Sequence, residues 1–240
     1  MDKENKKLRL VILGLLTTLI FAKIDTKQLI LITANSWSSN KAKLERYEKV
    51  DDKWLKIGKT KEVFLGKRGL AWGVGEHTTP KSSLIKVEGD KKSPAGVFKL
   101  PMLYSYNKLD ISFPYIISKE YYHCVDDSNS RYYNMVVDSK KVKRDYKSFE
   151  RMKFRKNYYK YALAINHNYF NSKKAIKNRG SCIFFHISNA TTVGCTAFKK
   201  EKDMKELVTW LKRDKNPILI QAPKSEIKRL LKESGVLQPK

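Results

Sequence analysis

Two side chains in the last third of the chain carry the chemistry this sequence can do. His186 closes the apolar run SCIFFH, and Cys195 follows nine residues later, directly behind Gly194 in a polar turn. A thiol behind glycine is open to close approach, because glycine lets the chain turn tightly and leaves room beside the sulfur. An imidazole nearby can take the thiol proton and populate the thiolate. The N–H groups of Gly194 and Cys195 can face a developing oxyanion. By itself the pair is a weak signal, since a single cysteine more often packs as a small hydrophobe. The other thiols are Cys124 and Cys182, and Cys182 sits within the apolar run, which makes it the poorer nucleophile. Asp126 and Asp127 are adjacent, and neighbouring side chains in a strand point to opposite faces. They read as one solvated carboxylate and one that ties a loop or a lysine. His77, His123 and His167 show no metal-ligand spacing and read as surface or packed histidines. Without a CxxC pair, no structural zinc site is expected, and the chemistry needs neither metal nor cofactor.

The elements that must position this pair are short. Residues 42–66 read as a hairpin turning at Asp51-Asp52. Residues 69–100 hold seven Gly or Pro positions and read as loops and short strands. Met135–Val137, Tyr161–Asn166, Ser181–His186 and the ILIQA run after Pro217 are strand candidates. Met204, Leu207, Val208 and Leu211 fall on one face of a helix, and Ser225 suits the N-cap of a basic terminal helix. Many short strands with few helices predict a β-rich α+β domain. Lys and Arg number 50 against 24 acids, a formal charge of +26. The dense basic stretch 139–160 is first a solvated face, and secondly a patch for an acidic polymer. No zinc finger, RNA-binding signature or basic helix with interleaved aromatics is present, so nucleic acid is not expected as a partner. The N-terminus carries Lys3, Lys6, Lys7 and Arg9 before the apolar run Leu10–Ala22. This is the layout of a secretory leader, and it is short against the about 20 residues of a membrane span. Cleavage after Ala22 or Ala34, or retention as an N-terminal membrane anchor, are the alternatives. The expected organisation is a leader or anchor over 1–34 and one domain over 35–240, exported and facing the periplasm or cell wall.

The stretch Gly180–Phe198 resembles the active-site segment of the L,D-transpeptidase catalytic domain family (the YkuD-like fold). Thr192, Gly194 and Cys195 match the Ser/Thr, Gly and Cys of its Ser/Thr-His-Gly-Cys motif, with His186 as the upstream histidine. The resemblance extends to a divergent branch through Lys86–Asp90 (KVEGD), Ser93–Phe98 (SPAGVF), Gly69–Gly73 and Val125–Asp127. Ser130, Tyr133-Asn134, Ser148–Met152, Asn166 and Pro217–Ile220 continue it, so that it spans residues 42–222. It implies that Cys195 attacks a peptidoglycan stem peptide at the bond between the L-centre of meso-diaminopimelate and a terminal D-amino acid. His186 is then the base, a backbone carbonyl such as that of Ile187 orients its ring, and a thioester forms on Cys195. Gly194 and Cys195 supply the oxyanion donors, and Thr192, Asp127, Asn134 and Tyr133 are the implied substrate contacts. The sequence departs from the family at three points. Val193 replaces the second His, the His-to-Cys spacing is shorter, and Thr196 and Ala197 stand where an Arg or Asn usually follows the Cys. The departures keep carboxypeptidase or amidase action open, including release of a wall-linked protein, as well as a non-catalytic wall-binding module. In an exported chain, Cys124 and Cys182 either bridge or remain two buried thiols.

Overall fold

The computed structural model describes residues 24–81, 84–154 and 156–236. The leader candidate Leu10–Ala22 lies outside them. Fourteen strands and two helices follow in chain order: β1 (Gln28–Ala34), β2 (Lys41–Val50), β3 (Lys53–Phe64), β4 (Leu70–Trp72), β5 (Ser93–Lys99), β6 (Leu103–Ser105), β7 (Tyr115–Ile117), β8 (Tyr122–Val125), β9 (Val136–Asp138), β10 (Phe149–Arg151), β11 (Tyr161–Ala164), β12 (Phe184–Ile187), β13 (Thr196–Phe198), α1 (Glu201–Trp210), β14 (Ile218–Pro223) and α2 (Lys224–Glu233). This is the β-rich α+β class expected from the sequence. Eleven strands form one sheet in the order β4-β5-β14-β1-β2-β3-β13-β12-β11-β6-β7, and β10-β8-β9 form a second.

The hairpin of β2 and β3 turns where the sequence predicts. Asp51 and Asp52 both take positive φ, 45° and 61°, the geometry that lets a two-residue turn follow the strand twist. Met204, Leu207 and Val208 form the buried face of α1, with Leu211 buried just beyond it. Three expectations need correction. Residues 28–34 are not part of a leader: β1 lies inside the large sheet, parallel to β14 and antiparallel to β2. Leu29, Ile30 and Ile32 are fully buried in the main core, so a boundary after Ala34 would cut the sheet through its middle. The apolar run LILITA is a strand buried on both faces. Secondly, Ser225 is not the cap of α2. Pro223 holds that position with extended φ and ψ, and no side chain caps the helix. Thirdly, Cys182 lies outside a regular strand. It has φ of +54°, and β12 begins only at Phe184.

Cys182 is pinned where it stands. It is bonded to Cys124 of β8 across 58 residues, and its N–H donates to Asn134 Oδ1 at 2.9 Å. The disulfide ties the small sheet to the entry of β12. A bridge closing a loop of this size contributes about 2–5 kcal/mol. Cys124→Ser is therefore expected to lower the melting temperature by several degrees or more, and reductant to do the same to the wild type. Thermal unfolding with and without reductant checks this, and identical curves would contradict it.

Candidate active site

Cys195 and His186 come together through one parallel pairing. In the β12–β13 ladder Phe185 faces Thr196 and His186 faces Ala197. That register sets Cys195, one residue before β13, level with Phe184. Side chains two apart on a strand share a face, so Phe184 and His186 flank the sulfur from the same side. The Phe184 N–H donates to Cys195 Sγ at 3.4 Å. The thiol in turn donates to the Cys182 carbonyl at 3.4 Å.

The turn ahead of the cysteine is held by hydroxyls. Thr192 Oγ1 donates to the Cys195 carbonyl at 2.6 Å and accepts from the Gly194 N–H at 3.1 Å. Ser93 Oγ donates to the same carbonyl at 2.8 Å. A Cβ on Gly194 would sit 3.3 Å from the Lys92 carbonyl and 3.7 Å from Lys86 Nζ. Glycine thus lets the turn lie close over a buried ammonium. Lys86 is itself 3% exposed and pairs with Asp90 Oδ1 at 2.7 Å. Glu88, from the same KVEGD segment, accepts from Tyr133 Oη at 2.5 Å and Ser181 Oγ at 2.7 Å. The segment therefore braces the back of the site rather than facing substrate.

His186 Nδ1 lies 2.9 Å from the Ile187 carbonyl. A carbonyl only accepts, so Nδ1 carries the proton and Nε2 keeps its lone pair. This is the backbone orientation that the family resemblance implied. Burial holds the imidazole neutral, lowering its pKa to about 4 against the opposing pull of the Ile187 carbonyl. Burial and the nearby Glu150 charge push the Cys195 thiol up to about 12. The Phe184 N–H, the Tyr159 hydroxyl and the Lys86 charge act in the opposite direction. At rest the pair is a neutral thiol beside a neutral imidazole.

Both residues open on one cleft of about 250 Å³. It is lined further by Glu150, Phe154, Tyr158, Tyr159, Thr192 and Val193. Val193, where the common motif has a histidine, is 66% exposed at this lip. Thr196 and Ala197 are fully buried in β13, so they offer the cleft no side chain. Of the four anticipated substrate contacts only Thr192 lines the cleft. Tyr133 spends its hydroxyl on Glu88. Asn134, fully buried, donates to the His167 and Asn168 carbonyls, both at 2.9 Å, besides anchoring Cys182. Asp127 ties a loop by accepting from the Asn129 and Lys147 N–H groups. These three are scaffold.

His123 stacks on Phe149, with ring centroids 3.7 Å apart. His167 accepts from Val74 N–H and, through its other nitrogen, meets the Arg179 carbonyl. His77 accepts from Val97 N–H. Each is a packed histidine, and among the described residues no cluster of His, Cys, Asp or Glu is built to hold a metal. Sequence reasoning gave Glu150 no role. The carboxylate accepts a hydrogen bond from the Tyr159 hydroxyl at the floor of the cleft. Its one signal was a place in the family-like segment Ser148–Met152.

The sequence profile of the L,D-transpeptidase catalytic domain (YkuD) matches residues 41–220, and the chain belongs to that family. No curated protein matches the sequence. A similar solved structure is the helical cell shape determining protein Pgp2 from Campylobacter jejuni, at 16% identity and a TM-score of 0.39. The similarity covers 83% of this chain and 49% of that one, so this chain spans about half the length of Pgp2. Among the described residues no helix is long and apolar enough to cross a membrane.

Proposed function

We propose that this protein is a cysteine acyl-transferase acting on peptidoglycan stem peptides. The observation that carries the reading is the shared cleft: Cys195 and His186 both line it, and the Ile187 carbonyl at Nδ1 leaves Nε2 of the imidazole unprotonated. The stem-peptide carbonyl bonded to the terminal D-amino acid is the electrophile. Nε2 takes the Cys195 proton as sulfur adds to this carbon. The Gly194 N–H already donates to Thr192, which leaves the Cys195 N–H as the donor assigned to the oxyanion. Collapse breaks the peptide bond, and the imidazolium returns the proton to the departing amine. The product is a thioester on Cys195. An amine acceptor resolves it to a new crosslink, a free D-amino acid gives exchange, and water gives trimming.

L,D-carboxypeptidase or amidase action is the second reading, in which water rather than an amine resolves the thioester. The proposed location is outside the cytoplasm, periplasmic or facing the wall, with the N-terminal segment through Ala22 as a leader or anchor. The Cys124–Cys182 bridge supports this, since such bonds persist in oxidising compartments.

Incubation with defined tetrapeptide and pentapeptide muropeptides, followed by chromatography and mass spectrometry, tests the reading. Crosslinked or exchanged products from tetrapeptide support transfer, and tripeptide alone supports trimming. Unaltered muropeptides, with a folded protein, would overturn enzymatic action on these bonds and favour a wall-binding module.

A further inference from the structure

We propose that Glu150 and Tyr159 form a donor relay for the nucleophile, in which protonated Glu150 directs the single Tyr159 proton onto Cys195 sulfur. The inference rests on the reading of Cys195 as nucleophile, but it concerns positioning residues that the reading does not use. Tyr159 is buried, with its ring 5.1 Å from that of His186 and edge-on to it. Its hydroxyl donates to Glu150, Tyr159 and Cys195 line the same cleft, and a phenol that donates to the sulfur favours the thiolate. A phenol has one proton to give. When Glu150 is ionised, that proton goes to the carboxylate, and the second negative charge opposes the thiolate. When Glu150 is protonated, its own O–H donates to the Tyr159 oxygen. The phenolic O–H is then free to donate to the sulfur, while the thiol proton passes to His186 Nε2. No heavy-atom bond changes in this rearrangement, and each proton has a named acceptor.

The surroundings of Glu150 favour the protonated form. Burial raises its pKa to about 7, the Tyr159 bond opposes this, and the Asp126 and Glu88 charges add to the rise. Asp126 follows β8, the strand that pairs with β10, and its Oδ1 is buried without a hydrogen-bond partner. Glu88 comes from the bracing segment behind the site. Among the described residues Cys195, Tyr158, Tyr159 and His186 are the other titratable groups lining the cleft with Glu150. Lys86 exerts its charge on the thiol and is paired with Asp90. Among the described residues no Lys or Arg is ion-paired with Glu150.

The test follows alkylation of Cys195, the one free thiol, by iodoacetamide from pH 5 to 10, read by intact mass. Glu150→Gln stays neutral and its amide can donate to the Tyr159 oxygen. It is expected to react about tenfold faster than wild type at pH 8, equal to about one pKa unit in the thiol. Tyr159→Phe is expected to react about tenfold more slowly than wild type at pH 6, where Glu150 is protonated. The double variant should lose the gain of Glu150→Gln, a non-additivity that marks a coupled pair. A Glu150→Gln profile that overlays wild type would overturn the relay. So would a gain that persists without the Tyr159 hydroxyl, since that is charge removal alone. If Glu150→Gln does not fold, Tyr159→Phe decides by itself, and an unchanged rate at pH 6 overturns the relay. Alkylation needs no muropeptide, so loss of the peptidoglycan reading would show in turnover and leave these profiles untouched.

Discussion

Cys195→Ala is expected to abolish turnover of muropeptides while leaving the fold and the Cys124–Cys182 bridge in place. The thiol makes two long contacts, from Phe184 N–H and to the Cys182 carbonyl. Its loss therefore costs little stability, about 1 kcal/mol for a small buried side chain. The turn survives because Thr192 and Ser93 hold the Cys195 carbonyl, a backbone group the substitution does not touch. Nothing else in the cleft replaces the sulfur. The Thr192 hydroxyl donates to that carbonyl, and the tyrosine oxygens are far weaker nucleophiles at neutral pH, with Tyr159 held well above its ordinary pKa by burial and Glu150. Loss of a nucleophile from a cooperating pair lowers rates by about 10⁴-fold or more. Rates from product chromatography, beside matched melting curves, check this. Residual activity above a few per cent would place the chemistry elsewhere.

His186→Gln is the second large effect. Glutamine keeps an amide near the ring position but cannot shuttle a proton, and loss of a general base typically costs about a hundred- to ten-thousand-fold. The pH dependence gives a sharper check. An imidazole lowered to about 4 stays a free base at any pH above that value. In the wild type the acid limb of kcat/KM should therefore fall near pH 4, not near the ordinary 6.5, because only below it does protonation stop Nε2 from accepting. If Glu150 must be protonated, activity also declines as pH rises through about 7, and Glu150→Gln removes that second limb. A wild-type acid limb at 6.5 would mean that solvent reaches the ring far more freely than its burial allows.

What was legible in the sequence was local. The β2–β3 hairpin was readable because Asp51-Asp52 marks a turn chemically, and α1 because four apolar residues repeat at helical spacing. The Cys195–His186 pair was a weak signal by spacing alone and was readable through the resemblance of Thr192, Gly194 and Cys195 to the family motif; in the structure the parallel β12–β13 pairing closes the gap. The rest depended on contacts between distant segments. β1 was taken for leader because a strand buried on both faces has the same uninterrupted apolar character as a secretory core. Tyr133, Asn134 and Asp127 sit in family-like segments, but only the fold shows that their polar atoms are spent on Glu88, on backbone around Cys182 and His167, and on a loop. Glu150 carried no periodicity at all. It comes from β10, an edge strand of the small sheet, and reaches the cleft that Tyr159 and Cys195 line. The position of Cys182 outside the strand was equally hidden, because positive φ in a non-glycine residue is imposed by its tertiary partners.

The central claim is a covalent acyl intermediate on Cys195, and intact-mass analysis after rapid acid quench addresses it most directly. Wild-type protein mixed with a tetrapeptide muropeptide should gain the mass of the stem peptide less its terminal D-amino acid, mapped to Cys195 by digestion and discharged by hydroxylamine. Cys195→Ala should gain nothing. Product formation with no adduct in the wild type, or an adduct that persists in Cys195→Ala, would contradict the account.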